Sequence, residues 1–93
     1  MGNGTLETTP VRTLREMLAD YAHITWCGWM CYMFSLSTMN KDGSMTIPAK
    51  LVTRWTRQMT TSYYNLPEDE KESDLVESET IIKIVKSRPW SGL

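Results

Sequence analysis

Phenylalanine and histidine each occur only once in this chain of 93 residues, and cysteine only twice, alongside five glycines and four prolines. The scarcity of glycine and proline excludes collagen-like and low-complexity classes. Two cysteines four residues apart, Cys27 and Cys31, do not describe a disulfide framework. On a helix they stack along one face without the Cβ approach that a disulfide needs. A single histidine, His23, leaves a His23–Cys27–Cys31 row one donor short of a closed zinc site, so no metal is expected. Net charge is also lacking. Ten Lys and Arg against eleven Asp and Glu leave −1, so no global positive field exists for general nucleic-acid binding. The one extended apolar run, residues 21–36, is shorter than the ~20 residues of a spanning helix and contains His23, so no membrane segment is expected. The first ten residues lack the basic and apolar regions of a secretory signal. A reduced, cytoplasmic setting follows.

What the chain does have is an unusual set of apolar residues: seven Met, four Trp and four Tyr within an overall 41% hydrophobic composition. One domain is the expectation at this length. Residues 1–9 read as a flexible arm, 10–87 as a single helical domain and 88–93 as a tail carrying Pro89, Trp90 and Gly92. The fold class is all-α, a compact bundle of three main helices near 10–37, 47–60 and 67–86. Thr9 and Pro10 suit the start of the first, with Leu14, Met17, Leu18 and Tyr21 at helical spacing. From Ile24 to Phe34 no polar face remains, and a helix apolar all round needs enclosure on most sides. Two further helices cannot supply that enclosure alone, which predicts a homo-oligomer or a ligand. Gly28 sits midway, where it would permit close approach or a bend.

Asn40-Lys41-Asp42-Gly43 is a turn signal. Pro48 opens the second helix, with Leu51, Val52, Trp55 and Met59 as its apolar stripe and Lys50, Arg54 and Arg57 along one basic side. Residues 60–65 break the period and contain Tyr63-Tyr64. Pro67 opens the third helix, whose predicted inward face is Leu75, Ser78, Ile82 and Val85, widened by Ile81 and Ile84. Seven of the eleven acids lie between Glu68 and Glu79. They read as a solvated helix face, and they leave the rest of the surface positive.

The segment Tyr64-Asn65-Leu66-Pro67-Glu68-Asp69-Glu70-Lys71-Glu72-Ser73-Asp74, followed by Ile81-Ile82-Lys83-Ile84-Val85, resembles the ryanodine-receptor repeat domain. His23-Ile24-Thr25-Trp26 is similar to the His-x-Thr-Trp step of that family, and together these cover about half the chain. The middle differs, since Pro48 to Met59 forms a helix where the family usually has a short glycine-containing loop. The chain also resembles the small orphan proteins of bacteriophage genomes. The resemblance implies a helical domain without catalytic residues, of a kind suspected of binding nucleotide-derived signals in defence and counter-defence. It also implies structural roles for Tyr64 and Leu66 at the start of the last helix and for Asp74 as a tie to backbone or Arg.

Catalysis finds little footing: His23 and Cys27 share one helix, without an orienting carboxylate or an oxyanion hole. Gly2-Asn3-Gly4 is not a phosphate loop. Aromatic rings and arginines together suit a nucleotide, since Arg forks match phosphate and Trp or Tyr faces stack on bases. The expected function is therefore a non-enzymatic module, without cofactor, that binds or sequesters a small anionic nucleotide-derived ligand. Trp26, Trp29 and Tyr63 would stack, Arg54 and Arg57 would neutralise charge, and His23 or Gln58 would supply a hydrogen bond. The alternative is a protein-interaction module that binds another protein through its Met- and Trp-rich helix.

Overall fold

The computed structural model of the protein describes residues 12–87. The expected arm, the Thr9-Pro10 helix start and the tail with Trp90 lie outside the described residues. Within them the fold is all-α in character: α1 (Leu14–Ser35), α2 (Ala49–Met59) and α3 (Glu68–Lys86), with a two-stranded ribbon, β1 (Thr38–Met39) and β2 (Met45–Thr46), between α1 and α2.

Each boundary has a local cause. Thr13 caps α1: its Oγ1 accepts from the Glu16 backbone N–H at 3.1 Å, and the Glu16 carboxylate accepts from the Thr13 N–H at 3.3 Å. This reciprocal box satisfies two donors that the first turn leaves free, and it starts the helix at Leu14 rather than near residue 10. At the other end, the Ser35 and Ser37 hydroxyls donate to the Tyr32 and Met33 carbonyls, and α1 stops at Ser35 rather than 37. Pro48 and Pro67 each precede the first residue of a helix, where a missing N–H costs nothing.

The turn at residues 40–44 forms as its residues predict, but it closes a ribbon that periodicity did not reveal. Thr38 pairs with Thr46 and Met39 with Met45, antiparallel. Asp42 Oδ1 accepts from the Ser44 N–H at 2.9 Å and its hydroxyl at 2.6 Å, and Gly43 sits at φ 90°, which a side chain disfavours. Two-residue strands are too short to register as an alternating pattern. Residues 63–65 form a short 3-10 turn ahead of α3.

The helices meet along their edges in an open, flat arrangement. The radius of gyration is 19.0 Å and the body measures 54 × 40 × 16 Å, against a radius of about 12 Å for a spherical fold of this length. None of the described residues is buried. The apolar residues of α1 therefore remain unenclosed by this chain's own elements. Gly28 does not serve a close approach, because a Cβ placed there meets nothing within 4 Å.

The largest departure from expectation is the rotation of α3. Its half-buried residues are Glu70, Lys71, Thr80 and Ile84. The stripe predicted to face inward points elsewhere: Leu75, Ile82 and Val85 are 44%, 45% and 39% exposed, and Ile81 is exposed too. Of that predicted set only Ile84 is half-buried. The cause is polar: the Tyr21 hydroxyl donates to Glu77, and Arg57 grips Glu70, which turns the acidic side of α3 toward α1 and α2.

With so little packing to hold it, α1 depends on its cap more than an enclosed helix does. Thr13→Ala should lower stability by about 1 kcal/mol. Thr13→Ser should restore most of it, as read by circular-dichroism melts of the two variants beside the parent chain.

Candidate functional site

Three rings join α1 to α2. Trp29 meets Trp55 edge-on, with ring centroids 5.9 Å apart and planes at 87°; Tyr32 lies 5.5 Å from Trp29 and 6.5 Å from Trp55. Edge-to-face pairs of this kind contribute about 0.5–1.5 kcal/mol each beyond the area they cover. Helical spacing explains the grouping, since Trp29 and Tyr32 are three apart on α1 and so share a side of the rod.

These rings form one wall of a cleft of about 840 Å³ between the three helices. Its opposite wall is α3, which contributes Asp69, Glu70, Asp74 and Glu77, while α2 adds Arg54, Gln58 and Met59. Ile24, Thr25 and Gly28 extend the α1 side, and Leu66 lies at the start of α3. Four carboxylates against Arg54 make the cleft acidic.

The strongest polar link crosses from α2 to α3. Arg57 donates from Nη2 to Glu70 Oε2 at 2.5 Å and from Nη1 to Oε1 at 3.2 Å, a two-pronged pairing that matches the guanidinium fork. The Glu70 side chain is only 9% exposed and that of Arg57 45%. The hydrogen bonds from Arg57 are the main cause holding the Glu70 carboxyl below its ordinary range; in return Glu70 raises the Arg57 guanidinium. Asp42 is also lowered, chiefly by its hydrogen bonds from Ser44.

The seven residues expected to form a nucleotide site do not converge. Trp29, Arg54 and Gln58 line the cleft. Trp26 and His23 stack on each other with centroids 6.1 Å apart, and His23 Nε2 lies 3.4 Å from Cys27 Sγ, all within α1. At 100° per residue these three lie on the side of α1 opposite the cleft. Tyr63 sits on the 3-10 turn, edge-on to Tyr64 at 5.3 Å and beneath Lys71 Nζ at 5.9 Å. Arg57 is committed to Glu70. What residue-type reasoning missed is the acidic wall and Tyr32. The signal was present, because Glu70, Ser73, Glu77, Thr80 and Ile84 recur at spacings of three and four, but apolar spacing outweighed it.

Of the residues on which the expected ryanodine-receptor resemblance rested, Leu66 is half-buried in the cleft, whereas Tyr64 stands 83% exposed against Tyr63. Asp74 lies on the cleft wall. Both cysteines are free thiols. Among the described residues, no group of three His, Cys, Asp or Glu side chains is placed to hold a metal ion. None of their helices is long and apolar enough to cross a membrane. Comparison of the chain with protein-family models, curated proteins and solved structures finds no match.

A depressed carboxyl contributes stability above its ordinary pKa, and that contribution is lost as pH falls through the lower folded value. Glu70→Gln should therefore melt at a lower temperature than the parent at neutral pH. The gap should close as pH drops below 4.5. Thermal melts of both proteins from neutrality down to about pH 3 check this.

Proposed function

We propose that this protein is a non-enzymatic protein-interaction module whose docking surface is the side of α1 facing away from the cleft. The observation that carries this reading is exposure. Trp26 is 58% and Phe34 51% exposed on α1, with His23 stacked on Trp26 and the half-buried Met30 and Cys27 on the same side. Large contiguous apolar patches on soluble proteins mark places where another surface docks. Trp and Met suit such a role: Trp offers rigid area that dominates interface energetics, and Met adapts to irregular shapes.

Charge argues in the same direction. A cleft walled by Asp69, Glu70, Asp74 and Glu77 opposes an anion, and the arginine expected to neutralise one already serves Glu70. A second reading keeps one specific support, the placement of Arg54 and Gln58 beside Trp29 and Trp55 in that cleft. In that reading the module binds a small nucleotide-derived anion through those four residues.

A photoreactive phenylalanine analogue placed at Trp26 or Phe34 should crosslink, in cells, to one and the same different protein; the analogue at Thr53, exposed on α2, should not. Trp26→Ala should weaken that complex by about 2 kcal/mol, roughly thirtyfold, with the helical signal unchanged. If neither position crosslinks, and a panel of nucleotides raises the melting temperature in a manner abolished by Arg54→Ala, the second reading replaces the first.

A further inference from the structure

We infer that α3 carries a second interface, separate from α1, and that its occupant is another copy of this chain paired antiparallel. Leu75, Ser78, Ile82 and Val85 follow one another at spacings of three, four and three, the spacing of a coiled-coil seam over one and a half heptads. The rotation of α3 by its acidic side places this seam in solvent, with its three aliphatic members each more than a third exposed. The seam lies roughly 140° around the helix from the side that meets α1 and α2, at 100° per residue.

Area supports an occupant of this size. The described residues expose 7481 Å², whereas a folded monomer of the full 10.7 kDa exposes about 5,500 Å². The excess is about 2,000 Å², and a stable interface needs about 800 Å² from each partner. One such interface fits within the excess and leaves the outer side of α1 free.

Charge selects the occupant and its direction. Away from the cleft wall, where Asp69, Glu70 and Asp74 lie, the first half of α3 carries Glu68 and Glu72, while its last turn holds Lys83 and Lys86. Parallel pairing would set the acidic halves against each other. Antiparallel pairing sets each acidic half against the basic turn of the other copy, and it also opposes the helix dipoles. Leu75 then packs on Val85 of the second copy and Ser78 on its Ile82. Outside that seam Glu72 faces Lys86 of the second copy, twice by symmetry. Glu79 lies nearest the twofold axis and faces its own counterpart, a like-charge contact that limits the affinity.

The whole chain should sediment as a dimer at tens of micromolar, and three changes test the arrangement. Ile82→Lys should leave the helical signal intact and give a monomer. Glu72→Lys should weaken the dimer roughly tenfold, since it turns two attractive pairs repulsive, and adding Lys86→Glu should restore it. Residues 72 and 86 are about 21 Å apart on one helix, so that rescue acts only between copies. Glu79→Ala should tighten the dimer. A parent chain that stays monomeric, or a dimer indifferent to Ile82→Lys, overturns the inference, as does a double charge swap that fails to restore association. None of these results bears on crosslinking from Trp26 and Phe34, so the two proposals stand or fall separately.

Discussion

The grip of Arg57 on Glu70 is the interaction on which the rest of this architecture turns. It fixes the N-terminal end of α3 against α2, and with the bond from Tyr21 to Glu77 it decides which side of α3 faces the other helices. A helix with one acidic side and one aliphatic side would ordinarily bury the aliphatic one, because burying a Leu or Ile side chain gains about 1.5–3 kcal/mol. Here the acidic side is the anchored one. Burial of carboxylates is tolerable only when they are paired, and Glu70, the least exposed of them, has the two-pronged partner that such burial requires. The consequence is a helix whose Glu70 and Glu77 are matched to Arg57 and Tyr21 while its Leu75, Ile82 and Val85 are left outward.

That inversion accounts for what was legible in the sequence and what was not. The three helices could be read because their signals are local. Pro48 and Pro67 mark two starts, Asp42-Gly43 marks the turn, and the apolar spacing of Leu51 and Trp55 gives α2 its half-buried side. Thr13 and Glu16 also form a local signal, a capping box three residues apart, which a plausible Thr9-Pro10 start obscured. The facing of α3 was not legible, because it depends on a contact across thirteen residues, between Arg57 and Glu70, and another across fifty-six, between Tyr21 and Glu77. Periodicity says which residues share a side of a helix; it does not say which side wins when two are available. The ribbon at Thr38 to Thr46 escaped for a different reason, since two residues per strand carry no period.

The candidate site divides in the same way. The grouping of Trp29 with Trp55 and Arg54 follows from adjacency on α2 and from the dominance of large rings in any helix contact, and the cleft contains it. Trp26, His23 and Tyr63 were joined to that group by chemistry alone, as residue types a nucleotide would use. Geometry separates them: Trp26, although only three residues from Trp29, stacks on His23 outside the cleft, and Tyr63 lies on the turn before α3. On a helix apolar around its whole circumference, residue type carries no information about side. Only the position of α2 and α3 assigns one face of α1 to the cleft and leaves the other to solvent.

These assignments give the exposed surfaces different physical characters. The outer side of α1 is built of large, soft and aromatic groups with few charges nearby, so contacts there are short-ranged, weakly salt-dependent and permissive in shape. The seam of α3 is narrow and flanked by charges of both signs, which makes its choice of partner a matter of register and ionic strength. A surface of the second kind suits a copy of itself, because antiparallel self-pairing matches the acid-to-base gradient along one helix without any second sequence. Pairing through α3 would leave both α1 surfaces open, and a dimer presenting two equal docking faces binds a repeated or dimeric target far more tightly than either face alone. The second contact then forms at the high effective concentration set by the first.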